Sequence, residues 1–262
     1  MGEELIGLLA RLPPGEWARP TSATHWNVRD VAAHLLDVDL RRLSSQRDGH
    51  LAPPPRPISS NQDLVGFLNH LNDTWVEAAR RLSPRILIES LEVSTARVAD
   101  LLEASDPMAP ATFAVAWAGE DTSRMWFDVA REYTERWHHQ DQIREAVSVA
   151  PLTERRWLRP VLETSLLALP HAFRNMDAAE GTAVLLRVGG ESGGEWTLFK
   201  QSSWRIESGR TGDPACTIVA SDLVVCRLLL HRLSATEAAS LVQAEGDVAF
   251  VAPLLNARAV MV

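Results

Sequence analysis

The sequence predicts a long helical N-terminal region followed by a small α+β region. Two observations carry this. Apolar residues recur at helical spacing through most of the first 175 positions, and after Gly181 the pattern changes to short strand-like runs separated by turn residues. The chain has 262 residues, 46% of them apolar, enough for a real core. That length fits one large domain or two small ones. The change of pattern places the expected boundary between residues 178 and 179, giving a helical domain over 1–178 and an α+β domain over 179–262.

Residues 3–12 read as a short helix stopped by Pro13-Pro14. The next start is stronger. Asn27 is placed to cap, Asp30 falls in the first turn, and Val28, Val31, Leu35 and Val38 form an apolar stripe running to about Leu43. The proline-rich segment HLAPPPRPISS reads as loop. A third helix is expected over Asn61–Leu82 and a fourth over Pro84–Ala104, with PMAPATFAVAW as loop followed by a short strand. A fifth helix runs from Thr122 or Ser123 to Val147. A sixth starts at Thr153 and is kinked or split by Pro160 and Pro170. These lengths suit an antiparallel bundle. In the second region TAVLLRV, EWTLFKQ, SWRIES and CTIVAS read as strands. The glycines at 189, 190, 193 and 194 mark a hairpin loop, and helical spacing returns at Asp222–Leu233 and Val248–Leu255.

Composition excludes several activities. The formal net charge of −8 argues against nucleic acid and anionic membrane surfaces as partners. Of the 26 basic residues only Lys200 is lysine, and it sits in a strand-like run. Schiff-base chemistry and a Gly-Lys-Ser/Thr phosphate loop are therefore not expected. No stretch of ~18 apolar residues is present to span a membrane. The acidic N-terminus does not resemble a secretory signal, and Ile6 stands where a myristoylation site needs Ser or Thr. Cys216 and Cys226 make neither a disulfide framework nor a metal knuckle, so a reduced, cytoplasmic protein is expected.

The chemistry concentrates in REYTERWHHQD, residues 131–141. Glu135 and His139 are four apart, on one helical face one turn from each other, a spacing at which a carboxylate and an imidazole converge on one ion. His138 is the alternative partner of Glu135 at i,i+3. Asp128 and Glu132 extend the same face and can supply supporting hydrogen bonds, whereas Asp141 points to nearly the opposite side. Tyr133 and Trp137 flank the pair and imply partial burial. His34 lies among Val31, Leu35 and Val38, at or near a buried face. There it reads either as a satisfied core histidine or as a third ligand, giving a His₂Glu set that leaves a position on zinc open. Trp26 and Trp126 read mainly as core, and the Arg80-Arg81 and Arg155-Arg156 pairs as solvated faces.

The segment WNVRDVAAHL, together with EYTERWHHQDQIREA, resembles the mycothiol-dependent maleylpyruvate isomerase family, whose N-terminal domains are DinB-like metal-binding four-helix bundles. The run from TIVASDL through LLLHRL to VQAEGDVAFV is similar to the small sterol-carrier-like domain appended to those bundles. The resemblance implies a divalent metal, zinc first, on His34, Glu135 and His139, and favours His139 over His138. It implies an active-site role for Arg232, preceded by His231 where relatives carry a small residue. It also implies mycothiol as cosubstrate and an actinobacterial host, which agrees with the arginine bias of a GC-rich genome.

The resemblance implies thiol-dependent isomerisation of an activated double bond as the expected activity. Arg232 would hold the carboxylate of a small-molecule substrate bidentately. Metal-dependent thiol S-transfer is the alternative, and a non-catalytic metal-stabilised small-molecule binder the third reading. Because neither cysteine lies near the predicted site in sequence, the thiol is expected to arrive as a small molecule. The protein is expected to be a monomer or small homo-oligomer.

Overall fold

The computed structural model describes residues 1–23, 25–51, 53–54 and 57–260. The expected proline-rich loop lies partly outside them, at Ala52, Pro55 and Arg56. The chain divides into two compact units, residues 1–112 with 136–151 and residues 113–135 with 152–262. The division passes through the middle of one helix, between Glu135 and Arg136, and again after Pro151.

The first unit is built on α1 (Gly2–Ala10), α2 (Val28–Arg42), α3 (Asn61–Ala79), α4 (Pro84–Glu103) and the second half of α5 (Met125–Ala146). Helix α2 begins as its sequence requires. The Asn27 side chain accepts the Asp30 backbone N–H while the Asp30 carboxylate accepts that of Asn27, a closed capping box. Arg80 binds the same carboxylate through two nitrogens, at 2.9 and 3.1 Å, so this solvent-exposed cation also anchors the start of α2. Leu5, Leu8, Leu9, Trp17, Val31, Leu35, Leu87, Leu91 and Ile143 form the core, drawn from α1, the turn after it, α2, α4 and α5. Within it lies a buried polar knot. Asp39 of α2 accepts from Ser94 at 2.7 Å and from Thr95 at 3.0 Å, and pairs with Arg136 of α5.

The second unit holds the first half of α5, α6 (Arg155–Leu166), α7 (Leu169–Ala172) and a five-stranded mixed sheet. Its strands are β1 (Ala183–Gly189), β2 (Gly194–Lys200), β3 (Trp204–Ser208), β4 (Cys216–Ser221) and β5 (Gln243–Gly246), ordered β3-β2-β1-β4-β5. Only β1 and β4 run parallel; the other neighbours are antiparallel. Helices α8 (Asp222–Leu229), α9 (Ala235–Ala239) and α10 (Val251–Asn256) complete it. The β1–β2 turn requires glycine at 190, where φ is +108° and an added Cβ would lie 2.3 Å from an Asp222 carboxylate oxygen.

Two local expectations need correction. The segment expected as a short strand before α5 contains a 3₁₀ turn, Ala116–Ala118. The expected sixth helix is split, but Pro160 is not the cause. It sits inside α6, and the carbonyl of Arg156, which Pro160 has no N–H to bond, faces the Tyr133 hydroxyl at 3.4 Å. That hydroxyl also donates to Trp157 O at 3.1 Å. The break comes at Leu167-Ala168, and Pro170 opens α7.

Candidate functional site

The capped start of α2 buries Val28, Val31 and Leu35 and carries His34 on the next turn, 7% exposed. His139 is 9% exposed on α5. The two rings meet edge to face, centroids 4.7 Å apart. Trp26 also packs against His34, ring centroids 4.9 Å apart. The core reading of Trp26 thus becomes a specific contact. Burial, then the nearby His139 and Arg41, hold the His34 pKa well below 6.5, so its ring is neutral at physiological pH. Its Nδ1 is buried with no hydrogen-bond partner among the described residues. One turn further along α2, Arg41 pairs with Asp37 at 2.9 Å, and burial still raises Asp37 to about 6.

Glu135 stands one turn before His139 on α5 and is half-buried. Desolvation pushes its carboxyl group up to about 7, against the pull of Arg131 and with the help of Glu132. Asp128, which shares this face, is buried and paired with Arg131. Trp137 is fully buried and Tyr133 half-buried, as the flanking aromatics implied. His138 also lies inside, its ring 5.0 Å from that of His139. Gln142 joins them. Its Oε1 is 2.8 Å from His139 Nδ1 and its Nε2 is 3.1 Å from His138 Nε2. The sequence reading missed Gln142, although its spacing to the two histidines, i+4 and i+3, is visible there.

The structure therefore brings His34 and His139 together. Among the described residues, no group of three or more His, Cys, Asp or Glu side chains is arranged to hold a metal ion, so the third predicted ligand, Glu135, does not complete a set here. The donor chemistry nonetheless suits a divalent ion. The structure offers a neutral imidazole with an unsatisfied nitrogen, a second imidazole against it, and, one turn away, a carboxyl group whose partial burial favours its protonated form.

Arg232 belongs to the second unit. It follows α8 at a Schellman ending: the Arg232 N–H donates to Arg227 O at 2.7 Å, and the His231 N–H to Leu228 O at 3.1 Å. His231 occupies the left-handed position, φ +57°, where glycine is favoured. Its Nδ1 accepts from Arg258 at 2.7 Å. The departure at 231 thus falls on a backbone position that suits a small residue. Cys216 and Cys226 are buried in the same unit, and burial raises the Cys216 thiol pKa. Trp126 corrects its core reading: it is 43% exposed, stacked on Phe127.

A family model described as the mycothiol maleylpyruvate isomerase N-terminal domain matches residues 1–144, which include both histidines of the pair. The chain belongs to this family. Two uncharacterised proteins from two strains of Mycobacterium tuberculosis are each 28% identical to this family member over 198 residues, covering 74% of this chain and 72% of theirs. Two solved structures are similar in fold. A mycothiol-dependent maleylpyruvate isomerase superposes with a TM-score of 0.51 at 13% identity, and a single-site mutant of that enzyme with 0.53 at 14%. Each match covers 93% of this chain and 88% of the other. At such identity the likeness is one of fold: a helical N-terminal region with a C-terminal mixed-sheet region. No helix among the described residues is long and apolar enough to cross a membrane.

Proposed function

We propose that this chain is a metal-dependent enzyme that uses mycothiol to isomerise an activated double bond, as in maleylpyruvate isomerase. The observation that carries the reading is the contact of His34 and His139, histidines from the two segments that resemble the family. On this reading the helical region is the DinB-like bundle, residues 179–262 the sterol-carrier-like domain, and the protein cytoplasmic. His34, Glu135 and His139 would hold a divalent ion, zinc first, which would supply Lewis acidity toward a thiol at neutral pH. To act as a ligand, the Glu135 carboxyl group would have to give up its proton.

The chain's own residues take the remaining roles. His34 presents a neutral ring nitrogen beside the His139 imidazole, and Trp26 packs on His34. Buried Cys216 and Cys226 do not compete as nucleophiles, so the thiol is imported. Arg232 holds a substrate carboxylate. The thiolate adds to the double bond, rotation follows about the resulting single bond, and elimination of the same thiolate regenerates it, so no thiol is consumed.

The test is to mix zinc-loaded protein with mycothiol and maleylpyruvate and follow both the substrate geometry and the free thiol. Conversion to the trans isomer with constant thiol supports the reading. Thiol lost one-for-one with product assigns S-transfer instead. Bound zinc whose removal only lowers the melting temperature, with no turnover, assigns a non-catalytic binding protein.

A further inference from the structure

We propose that Gln142 is a positioning residue: its side-chain amide fixes which nitrogen of His139 faces the ion and withholds His138 from it. The inference rests on the metal reading above and deepens it. Gln142 lies three residues after His139 and four after His138, so one amide on the inner face of α5 reaches both rings. It is buried, as are both histidines. Its two ends are chemically different, and that difference forces the assignment. An amide oxygen only accepts, so His139 Nδ1, 2.8 Å from Oε1, must carry the ring proton. An amide nitrogen only donates, so His138 Nε2, 3.1 Å from Nε2 of Gln142, must carry a lone pair.

Two consequences follow. His139 is held in the tautomer whose lone pair is on Nε2, with the ring braced by its other nitrogen, the arrangement that orients metal-ligating histidines. His138, the neighbour that sequence spacing alone leaves as a rival ligand, has its Nε2 lone pair occupied by the amide. One glutamine thus separates two adjacent histidines into a ligand and a non-ligand.

The experiment is nitrogen-15 NMR of the histidine rings in metal-free protein, paired with zinc titration, for wild type, Gln142→Leu and Gln142→Glu. Wild type is expected to show His139 protonated at Nδ1 and His138 with its lone pair on Nε2. Gln142→Leu is expected to mix both tautomers and to weaken zinc roughly 10–100-fold, the usual cost of losing such a partner. Gln142→Glu presents only acceptors. It should keep His139 protonated at Nδ1 and zinc affinity within a few-fold of wild type, while moving the His138 proton to Nε2. Wild-type His139 protonated at Nε2, or unchanged zinc affinity in Gln142→Leu, would overturn the proposal. Wild type that binds no zinc refutes the metal reading, whereas the ring tautomers still decide the role of Gln142.

Discussion

The imidazoles of His34 and His139, 105 positions apart in sequence, pack edge to face with ring centroids 4.7 Å apart. Both rings are buried, and the His34 Nδ1 is left without a hydrogen-bond partner among the described residues. A buried nitrogen without a partner carries a local cost, which ion binding would remove on the proposed reading.

Zinc affinity is expected to depend on pH through Glu135. Its carboxyl group titrates at about 7, so near neutrality a proton must leave before the carboxylate can ligate. Affinity should rise about tenfold per pH unit up to about pH 7 and flatten above it. Competition titration against a chelator, with calorimetry in two buffers to count released protons, checks this. Affinity that is flat across this range contradicts the role of Glu135.

Stability of the metal-free protein should carry the opposite signature of His34. Its folded pKa lies well below 6.5, so the unfolded chain takes up the proton first and stability is lost as pH falls below 6.5. Glu135, raised from 4.5 to about 7, and Asp37, raised from 3.8 to about 6, act in reverse. Their folded forms retain protons, so stability falls as pH rises through those windows. The contributions oppose one another just below pH 6.5, and His34→Gln removes only the first. The stability difference between wild type and His34→Gln should move by about 1.4 kcal/mol per pH unit in favour of wild type as pH rises toward 6.5. Urea unfolding at several pH values measures it, and a difference independent of pH would contradict the burial of His34.

The start of α2 was legible because Val28, Val31 and Leu35 repeat at helical spacing, and all three are buried. So were the four longer strands and the glycine turn between β1 and β2. β5 was not, because QAEG is a mostly exposed edge strand with no alternation to read. Asp39 gave no signal either. Its partners Ser94, Thr95 and Arg136 lie 55 to 97 positions away, and only the packed helices bring them together. The histidine pair was legible from spacing plus resemblance, whereas Gln142 was written in the same helix and passed over, since glutamine has no metal-ligand pattern of its own.

That Asp39 knot makes its own prediction. Arg136→Met leaves a fully buried carboxylate without its cation, at a cost of about 3–5 kcal/mol in urea unfolding. Adding Asp39→Asn should recover most of it. A loss under about 1 kcal/mol would mean the pair is not buried as described.

The β1–β2 turn predicts a contrast between two glycines. Gly190→Ala combines a positive φ with a clash against Asp222, whereas Gly181→Ala meets only the positive φ, +86°, with open space around it. Thermal unfolding should show the first variant destabilised by at least about 1 kcal/mol more than the second. Equal losses would remove Asp222 from the account of this turn.

The most direct test of the central claim is optical. Cobalt(II)-substituted protein titrated with mycothiol should develop a thiolate-to-cobalt charge-transfer band that saturates at one thiol per chain. The band should be absent in His34→Ala and Glu135→Ala. Failure to bind cobalt, a spectrum unchanged by mycothiol, or a band of equal strength in His34→Ala would contradict it.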